Sequence, residues 1–431
     1  MNYHDIISLD ECEKIVRAST KSDDDVKIVS FHISQFGDGF SGFLGEYYIL
    51  LIKYHCGNGL NNELMEASFF IKSLPTNNEE KRRILTQWGI FKKEVMIFEH
   101  IIPKLVKYSS KKWSPHCYLA RDDIMVFENL ELNDYRTLPR HIDPSINHIK
   151  MALRTLALFQ ASSIIYERLE LRPNGEMSIG DAYKNMLFET SYSDDNPWCM
   201  TSMRAVKTVA LHYTKYGIGS SFEDAIQMEF MIRAKKIFEI LDSPMPKIPS
   251  VLCHRDLWRN NLMYRFDNND FNMPLDCILI DFQIARYYPL ALDVIICIML
   301  PSIEITSESI DECIKFYYDQ LSCELMQHNL NIESLMSLDD LENACEKFKL
   351  MPLLMQPMFC SMANLPVEYI PNLLKTDEEK YVMLCHKDRD PLIFEFMDTD
   401  DYYRNTMVKT TERLIEYLFA DEIGNSKRTF D

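Results

Sequence analysis

Glycine is scarce in this chain of 431 residues, which has 12 glycines and 18 prolines. Together with an apolar content of 47%, the scarcity excludes a flexible or low-complexity protein and predicts a large folded core. Positive charge is also in deficit, with 46 Lys and Arg against 65 Asp and Glu and a formal net charge of −19. Because so acidic a surface repels nucleic acid and anionic membranes, we expect neither as a partner.

Several familiar motifs are missing as well. The 12 cysteines form no C-x-x-C pair, so we expect no zinc knuckle, and several lie in apolar runs, as buried reduced thiols do. The amino-terminal residues are unlike a signal peptide, and no apolar run is long enough to span a bilayer. No G-x-x-x-x-G-K-[ST] motif occurs, which argues against a P-loop enzyme. We therefore expect a cytoplasmic protein, and the sequence leaves its oligomeric state open.

The pattern of apolar residues divides the chain into two parts. Alternation with a period of two predicts three antiparallel strands between residues 26 and 75, and a strand pair ends near Glu128. Between them, residues 79–108 have apolar side chains at steps of three and four, which predicts one long amphipathic helix. Helical patterns dominate later. We expect an α+β, two-lobed fold, with a small antiparallel-sheet lobe at 1–130, a larger, mainly helical lobe at 131–431, and a ligand cleft between them.

A polar segment inside the helical part carries the main functional motif. His254–Leu257, followed by Asn261, fits H-R-D-L-x-x-x-N, the catalytic loop of kinases. In such a loop, Asp256 would accept the proton of a substrate hydroxyl, and Asn261 would turn back towards a magnesium ion that neutralises phosphate charge. Taken alone, the segment fits a polar loop that caps a helix equally well.

A second motif follows a predicted hairpin. Asp281 and Phe282 end an apolar strand, where a carboxylate can bind Mg²⁺ and bridge it to nucleotide phosphates. The alternative is a strand-terminal aspartate that makes a turn. Because loop, hairpin and Asp-Phe occur in this order, we predict Asp256, Asn261 and Asp281 as catalytic residues. Asn261 and Asp281 are the predicted metal ligands.

Lys72 lies in a strand with apolar neighbours, where an unpaired ammonium would be costly. A phosphate and a carboxylate would compensate it, and Glu94, beside the apolar stripe of the long helix, is the candidate carboxylate. Glu99 on the same helix is a weaker alternative. Taken alone, Lys72 could extend to solvent at a strand edge. With the catalytic loop present, we predict a Lys72–Glu94 pair that binds the nucleotide.

Three glycines, Gly37, Gly39 and Gly42, form a G-x-G-x-x-G pattern between two predicted strands. Backbone amides in such a turn can approach phosphate oxygens because no Cβ intervenes. A strand and not a helix follows the pattern, so it is no dinucleotide fingerprint. We predict that these glycines contact the nucleotide.

Asp293 stands inside an apolar helical run, where an unpaired carboxylate would be expensive. We predict that it accepts backbone N–H groups of the catalytic loop and holds the loop in shape. A cap at the start of the helix is the alternative.

Together these residues resemble the ecdysteroid kinase-like family, also called the CHK-kinase-like family, which is related to choline kinases and aminoglycoside phosphotransferases. The resemblance depends on Trp258, on the double asparagine that follows it, and on Asp-Phe-Gln at 281–283. It spans most of residues 30–300. Residues 68–75 of this chain look like the family's lysine strand. Residues 91–103 look like its helix, and residues 127–130 look like its inter-lobe hinge.

The resemblance implies a protein-kinase-like fold and an ATP- and Mg²⁺-dependent kinase that phosphorylates a hydroxyl of an ecdysteroid or another lipophilic alcohol. It implies the roles given above for the polar side chains, and it adds an adenine site at the hinge, where Glu128, Asn129 and Leu130 would bind through their backbone. Two positions depart from the family pattern, since Gln160 replaces a histidine and Arg255 replaces a glycine. Neither supplies the proton acceptor or a metal ligand.

Three alternatives stay open. A protein kinase would need an activation segment, but no A-P-E triplet follows Asp281. A choline or ethanolamine kinase would hold a cationic substrate in an aromatic cage, which the acidic charge and the many aromatic residues allow. A catalytically inactive nucleotide-binding protein would commonly have lost one of the four side chains at 72, 256, 261 and 281, and all four are present.

Overall fold

The computed structural model describes residues 6–21, 26–36, 45–56, 63–76, 79–139, 142–173, 177–267 and 270–428. The predicted glycine motif, Gly37, Gly39 and Gly42, lies outside these residues. In the part of the chain that is described, no helix combines the length and the apolar character needed to cross a membrane.

An antiparallel sheet of five strands, in the order β1-β2-β3-β5-β4, forms the amino-terminal part. Its strands are β1 (Val26–Gln35), β2 (Glu46–Cys56), β3 (Leu64–Ser73), β4 (Cys117–Arg121) and β5 (Ile124–Glu128). The three strands predicted from alternation are confirmed. In β2, every second residue from Tyr48 to Tyr54 is buried on the face that includes Leu50, because successive side chains of a strand point to opposite faces. A helix that the sequence analysis did not predict, α1 (Leu9–Thr20), joins this face, with Ile15 and Val16 in the same apolar cluster as Leu50.

The helix predicted over residues 79–108 is divided. Helix α2 (Glu79–Trp88) ends at Gly89, and α3 (Ile90–His100) and α4 (Ile102–Leu105) follow. Gly89 has a φ of +67°, a left-handed conformation that glycine adopts without the Cβ clash other residues meet. The predicted single helix is therefore a series of consecutive helices, and α3 carries the buried face with Val95 and Phe98.

The carboxyl-terminal part is mainly helical. Its helices are α5 (Ile146–Tyr166), α6 (Ile179–Ala182), α7 (Pro197–His212), α8 (Glu223–Ala234), α9 (Lys236–Asp242), α10 (Ala291–Met299), α11 (Ser307–Met326), α12 (Leu338–Phe348), α13 (Leu350–Ala363), α14 (Tyr369–Thr376), α15 (Glu378–His386), α16 (Asp390–Thr399), α17 (Asp401–Leu418) and α18 (Ala420–Arg428). Helix α7 lies in a stretch without a clear sequence pattern. It packs into two apolar clusters, Val206 in one and Val209 in the other, so its apolar residues do not form a single stripe.

The carboxyl-terminal part also contains two small sheets. Their strands are β6 (Tyr135–Arg136), β7 (Ser250–Cys253), β8 (Leu262–Asp267), β9 (Asp270–Leu279) and β10 (Arg286–Pro289). Strands β8 and β9 form the predicted hairpin, and β10 pairs with β7, so the loop after β7 and the segment after β9 lie side by side. A small antiparallel sheet with a few helices and a larger helical part form the expected two-lobed, protein-kinase-like α+β fold.

Candidate active site

Lys72 lies on β3, with its ammonium group buried against α3. The ammonium contacts the carboxylate of Glu94 at 2.5 Å and that of Asp281 at 2.8 Å. Burial favours the neutral amine, but Asp281 and Glu94 together raise the pKa of Lys72 above its ordinary value, so it stays charged. The predicted Lys72–Glu94 pair is therefore present, and the alternative Glu99 is exposed.

The catalytic-loop segment between β7 and β8 holds Asp256 and Asn261 together. The side-chain amide of Asn261 donates to the main-chain oxygen of Asp256 at 2.9 Å and to its carboxylate at 2.8 Å. Burial and the nearby Asp281 carboxylate raise the pKa of Asp256 to about 8. A carboxyl group with a pKa near neutrality can exchange a proton with a bound group.

The oxygen atoms at this place fit a magnesium ion. The side-chain NH₂ group of Asn261 donates both of its hydrogens to Asp256. The side-chain carbonyl oxygen of Asn261 is therefore the atom that can bind a metal. Asp281 adds a carboxylate, and Mg²⁺ prefers such oxygen donors. Among the described residues, no group of three or more His, Cys, Asp or Glu could enclose a metal. Mg²⁺ needs none, because water and phosphate oxygens complete its shell.

Asp293, in the first turn of α10, supports the loop from behind. Its buried carboxylate accepts the N–H groups of His254 at 2.6 Å and of Arg255 at 2.8 Å, which confirms the predicted contact. Burial lowers the pKa of His254 to about 4, so its ring is neutral. That ring contacts the Ile280 oxygen through Nε2 at 2.9 Å and the Asp256 N–H through Nδ1 at 3.3 Å. The loop and the end of β9 therefore form one hydrogen-bonded unit.

We expect Asp293→Asn to destabilise the protein by about 1–3 kcal/mol, because the new amide group would leave one buried N–H of the loop without an acceptor. Denaturant unfolding measures this difference. Asp319→Asn, at an exposed position of α11, is the matched control. Equal unfolding midpoints for Asp293→Asn and the wild type would show that Asp293 does not hold the loop.

Phe282 anchors the segment that carries Asp281. Its N–H donates to the second carboxylate oxygen of Glu94 at 3.0 Å. Its ring packs edge-on against Phe98 and Phe159, with centroids 5.6 and 5.5 Å away. Glu94 thus uses one oxygen for the lysine and the other for this segment, and so it fixes the position of Asp281 relative to β3.

The predicted hinge connects β5 to the helical part. The carboxylate of Glu128 accepts the N–H of His116 at 2.7 Å, and the N–H of Glu128 donates to the His116 oxygen at 2.9 Å. Asn129 donates to the hydroxyl of Ser68 on β3 at 3.1 Å, and Leu130 is buried. The N–H of Glu128 is thus engaged within the protein. The adenine role of these three residues stays a prediction.

A cluster of half-buried aromatic rings lies next to the catalytic loop. Trp258, two residues after Asp256, contacts Phe359 of α13 with ring centroids 5.7 Å apart. Phe359 contacts Trp198 of α7 at 5.8 Å. These rings come from three distant parts of the chain, and no local sequence pattern joins them.

Comparison with known families adds to this geometry. The model of the ecdysteroid kinase-like family matches residues 45–330, which is more than half of the chain. The chain belongs to the ecdysteroid kinase-like family. The match includes the five polar residues at 72, 94, 256, 261 and 281. Membership of this family supports a kinase that acts on small molecules.

Two solved structures are similar over most of the chain. An ethanolamine kinase of Plasmodium vivax is 11% identical, and the match covers 91% of this chain and 83% of that chain with a TM-score of 0.40. A ternary complex of streptomycin, ATP and APH(2")-IIa is 12% identical, and the match covers 87% of this chain and 98% of that chain with a TM-score of 0.36. A search of curated proteins gave no match.

Gln160, which replaces a histidine of the family pattern, lies behind Asp293. Its amide nitrogen is 3.4 Å from the Asp293 carboxylate and from the Leu290 oxygen, and its amide oxygen accepts the hydroxyl of Tyr317. This difference from the family pattern therefore concerns a residue that contacts Asp293 behind the catalytic loop. Gln160 does not contact Lys72 or Asp256.

Proposed function

We propose that this chain is an ATP- and Mg²⁺-dependent kinase that transfers the γ-phosphate of ATP to a hydroxyl group of a lipophilic alcohol, such as an ecdysteroid or a related steroid. One observation carries the proposal. Five polar side chains from distant parts of the sequence converge, with Asp281 paired to Lys72 and close to Asp256. Buried ionisable groups with shifted pKa values that gather in this way are typical of functional sites.

The proposed roles follow from the positions of the side chains. Lys72, held by Glu94, binds phosphate oxygens of the nucleotide. Asn261 and Asp281 hold Mg²⁺, which neutralises negative charge on the phosphates when it is bound. Asp256 accepts the proton of the acceptor hydroxyl as the new oxygen–phosphorus bond forms.

The proposal extends to the two lobes. We assign nucleotide binding to residues 1–130, and catalysis and acceptor binding to 131–431. The apolar cluster formed by α1 and one face of the five-stranded sheet contains only residues of the first part, whereas α3 packs in the cluster of the helical part. Adenine is assigned to the backbone of residues 128–130, and the nucleotide phosphates to the glycine motif at 37–42.

The surroundings of Asp256 support an apolar small molecule as the acceptor. The rings of Trp258, Phe359 and Trp198 provide flat apolar surface beside the catalytic loop. Only the short strand β10 lies between Asp281 and α10, where protein kinases have an activation segment. A fused-ring alcohol fits these surroundings better than a peptide does.

The test combines binding and product detection. We expect MgATP at about 100 times its Kd to stabilise the protein by about 2.7 kcal/mol in thermal unfolding. Mass spectrometry should then show phosphate on a steroid alcohol and not on choline or a peptide. Phosphorylated choline would favour a choline or ethanolamine-type kinase instead. Nucleotide binding with no phosphorylated product would favour an inactive nucleotide-binding protein.

A further inference from the structure

Two fully buried basic side chains directly precede two carboxylates of the site. Lys93 precedes Glu94 on α3, and Arg255 precedes Asp256 in the catalytic loop, and neither side chain is exposed. Burial and the nearby Arg255 hold the pKa of Lys93 well below its usual value. A buried basic side chain is expensive unless polar groups surround it. Both find partners in one segment, residues 188–192, between α6 and α7.

Glu189 is the partner of Arg255. One oxygen of its carboxylate accepts the guanidinium groups of Arg255 at 2.9 Å and of Arg286 at 2.7 Å. The other oxygen accepts the N–H groups of the next three residues at 2.9 to 3.0 Å. Burial acts to raise its pKa, but Arg255 and these hydrogen bonds hold the pKa of Glu189 well below its usual value, so the carboxylate is ionised.

Arg255 needs such support because its backbone is strained. Its φ of +69° lies in the left-handed region, which residues with a Cβ rarely adopt. Strained backbone persists only where the surroundings fix it. Here the Glu189 carboxylate holds the end of the side chain, and the rings of Tyr192 and Tyr288 flank its guanidinium at 5.2 and 5.1 Å.

The same segment also contacts the helix that carries Glu94. The amine of Lys93 donates to the Phe188 oxygen at 2.8 Å, and the Phe188 ring lies 5.6 Å from it. Arg286 belongs to β10, shortly after Asp281. One segment therefore contacts α3, the catalytic loop and the strand that follows Asp281.

We propose that Glu189 is a positioning residue, which fixes Arg255 so that the carboxylate of Asp256 faces the acceptor hydroxyl. The inference rests on the proposed kinase function and adds a residue to it. In many kinases, an arginine cluster is ordered by a phosphorylated residue of the activation loop. In this chain Glu189 supplies the anion permanently, so the loop is ordered without phosphorylation.

The test begins with Glu189→Gln, which keeps the shape and removes the charge. We expect turnover of MgATP, measured as ADP release, to fall about 100-fold, because a small displacement of a catalytic group has an effect of this size. The KM for MgATP should change less than about threefold, because Glu189 does not contact Lys72 or Glu94, the side chains assigned to nucleotide binding. Hydrogen exchange of the amides at 251–261 should become faster.

A second variant separates positioning from general stability. Arg255→Gly removes both the buried cation and the backbone strain, so the double variant Glu189→Gln/Arg255→Gly should recover turnover at least about tenfold relative to Glu189→Gln. Glu229→Gln on α8, where the carboxylate pairs with Arg233 at 2.6 Å, is the matched control and should match the wild type. If Glu189→Gln does not fold, Glu189→Asp, which retains the charge, takes its place with a smaller expected loss.

The outcomes are distinct. Faster loop exchange, with a selective loss of kcat that the double variant reverses, supports the proposal. Wild-type exchange at 251–261 in the Glu189 variant overturns it whatever the turnover, and so does an equal loss in the single and double variants. Failure of the wild type to bind MgADP in calorimetry would instead contradict the proposed function. The exchange comparison would still decide whether Glu189 orders the loop.

Discussion

Asp256→Asn is expected to lower turnover by about 10²- to 10⁴-fold, because an amide cannot accept the proton of the acceptor hydroxyl. Affinity for MgATP should stay nearly unchanged, since the side chains assigned to the nucleotide are elsewhere. Asn261 donates to one carboxylate oxygen of Asp256, and an asparagine retains an oxygen acceptor for that bond. Steady-state kinetics at saturating MgATP, together with calorimetry of MgADP binding, measure the two effects separately.

Asp319→Asn serves as the control for this change as well, because its carboxylate is exposed and distant from the loop in sequence. It should leave both turnover and MgADP affinity at their wild-type values. Wild-type turnover in Asp256→Asn would show that another group accepts the proton. A parallel loss of MgADP affinity would show that Asp256 contributes to nucleotide binding, contrary to the role assigned to it.

The same substitution should stabilise the folded protein at neutral pH. Burial and Asp281 raise the pKa of Asp256 to about 8, whereas an unfolded aspartate has a pKa of about 4. The folded chain therefore holds this proton more tightly, and ionisation lowers stability progressively as pH rises from about 4 to about 8. Asparagine does not ionise. The difference in unfolding midpoint between variant and wild type should be near zero below pH 4 and largest above pH 8.

Much of the site could be predicted because buried charge restricts the possible partners. Lys72 stands among apolar neighbours in a strand, and Glu94 stands beside the apolar face of a helix. An ammonium and a carboxylate in such places need partners, and the catalytic-loop motif, which implies a nucleotide site, made their pairing the favoured prediction. Asp293 is similar, since a carboxylate in an apolar run needs N–H donors, and the loop supplies them. The strands were predictable for a related reason, because burial of one face imposes a period of two.

The rest depends on contacts that leave no local pattern. Gly89 ends a helix through its backbone conformation, although the apolar stripe continues past it. Glu189 looks like any surface acid in the sequence, and its partner Arg255 lies 66 positions away. The aromatic cluster at Trp258 is likewise assembled from the catalytic loop and two separate helices. Such residues are found only when the fold brings their partners together.

Asp281→Asn should impair nucleotide binding as well as turnover, in contrast to Asp256→Asn. The Asp281 carboxylate contacts the Lys72 ammonium at 2.8 Å and is the anionic member of the proposed metal site. Loss of its charge removes a preferred magnesium ligand and leaves Lys72 with Glu94 alone. We expect affinity for MgATP to fall at least about tenfold, a loss typical of weakened metal sites. Raising MgCl₂ should recover part of that affinity.

Titrations of ATP at low and high MgCl₂ separate this effect from a general disturbance of the site. Asp276→Asn is the matched control, because this half-buried aspartate lies on β9, shortly before Asp281, and accepts the hydroxyl of Tyr135 at 2.7 Å. The ATP affinity of Asp276→Asn should equal that of the wild type at both low and high MgCl₂. If the loss in Asp281→Asn did not depend on MgCl₂, Asp281 would act through Lys72 alone, and the metal would need a different carboxylate.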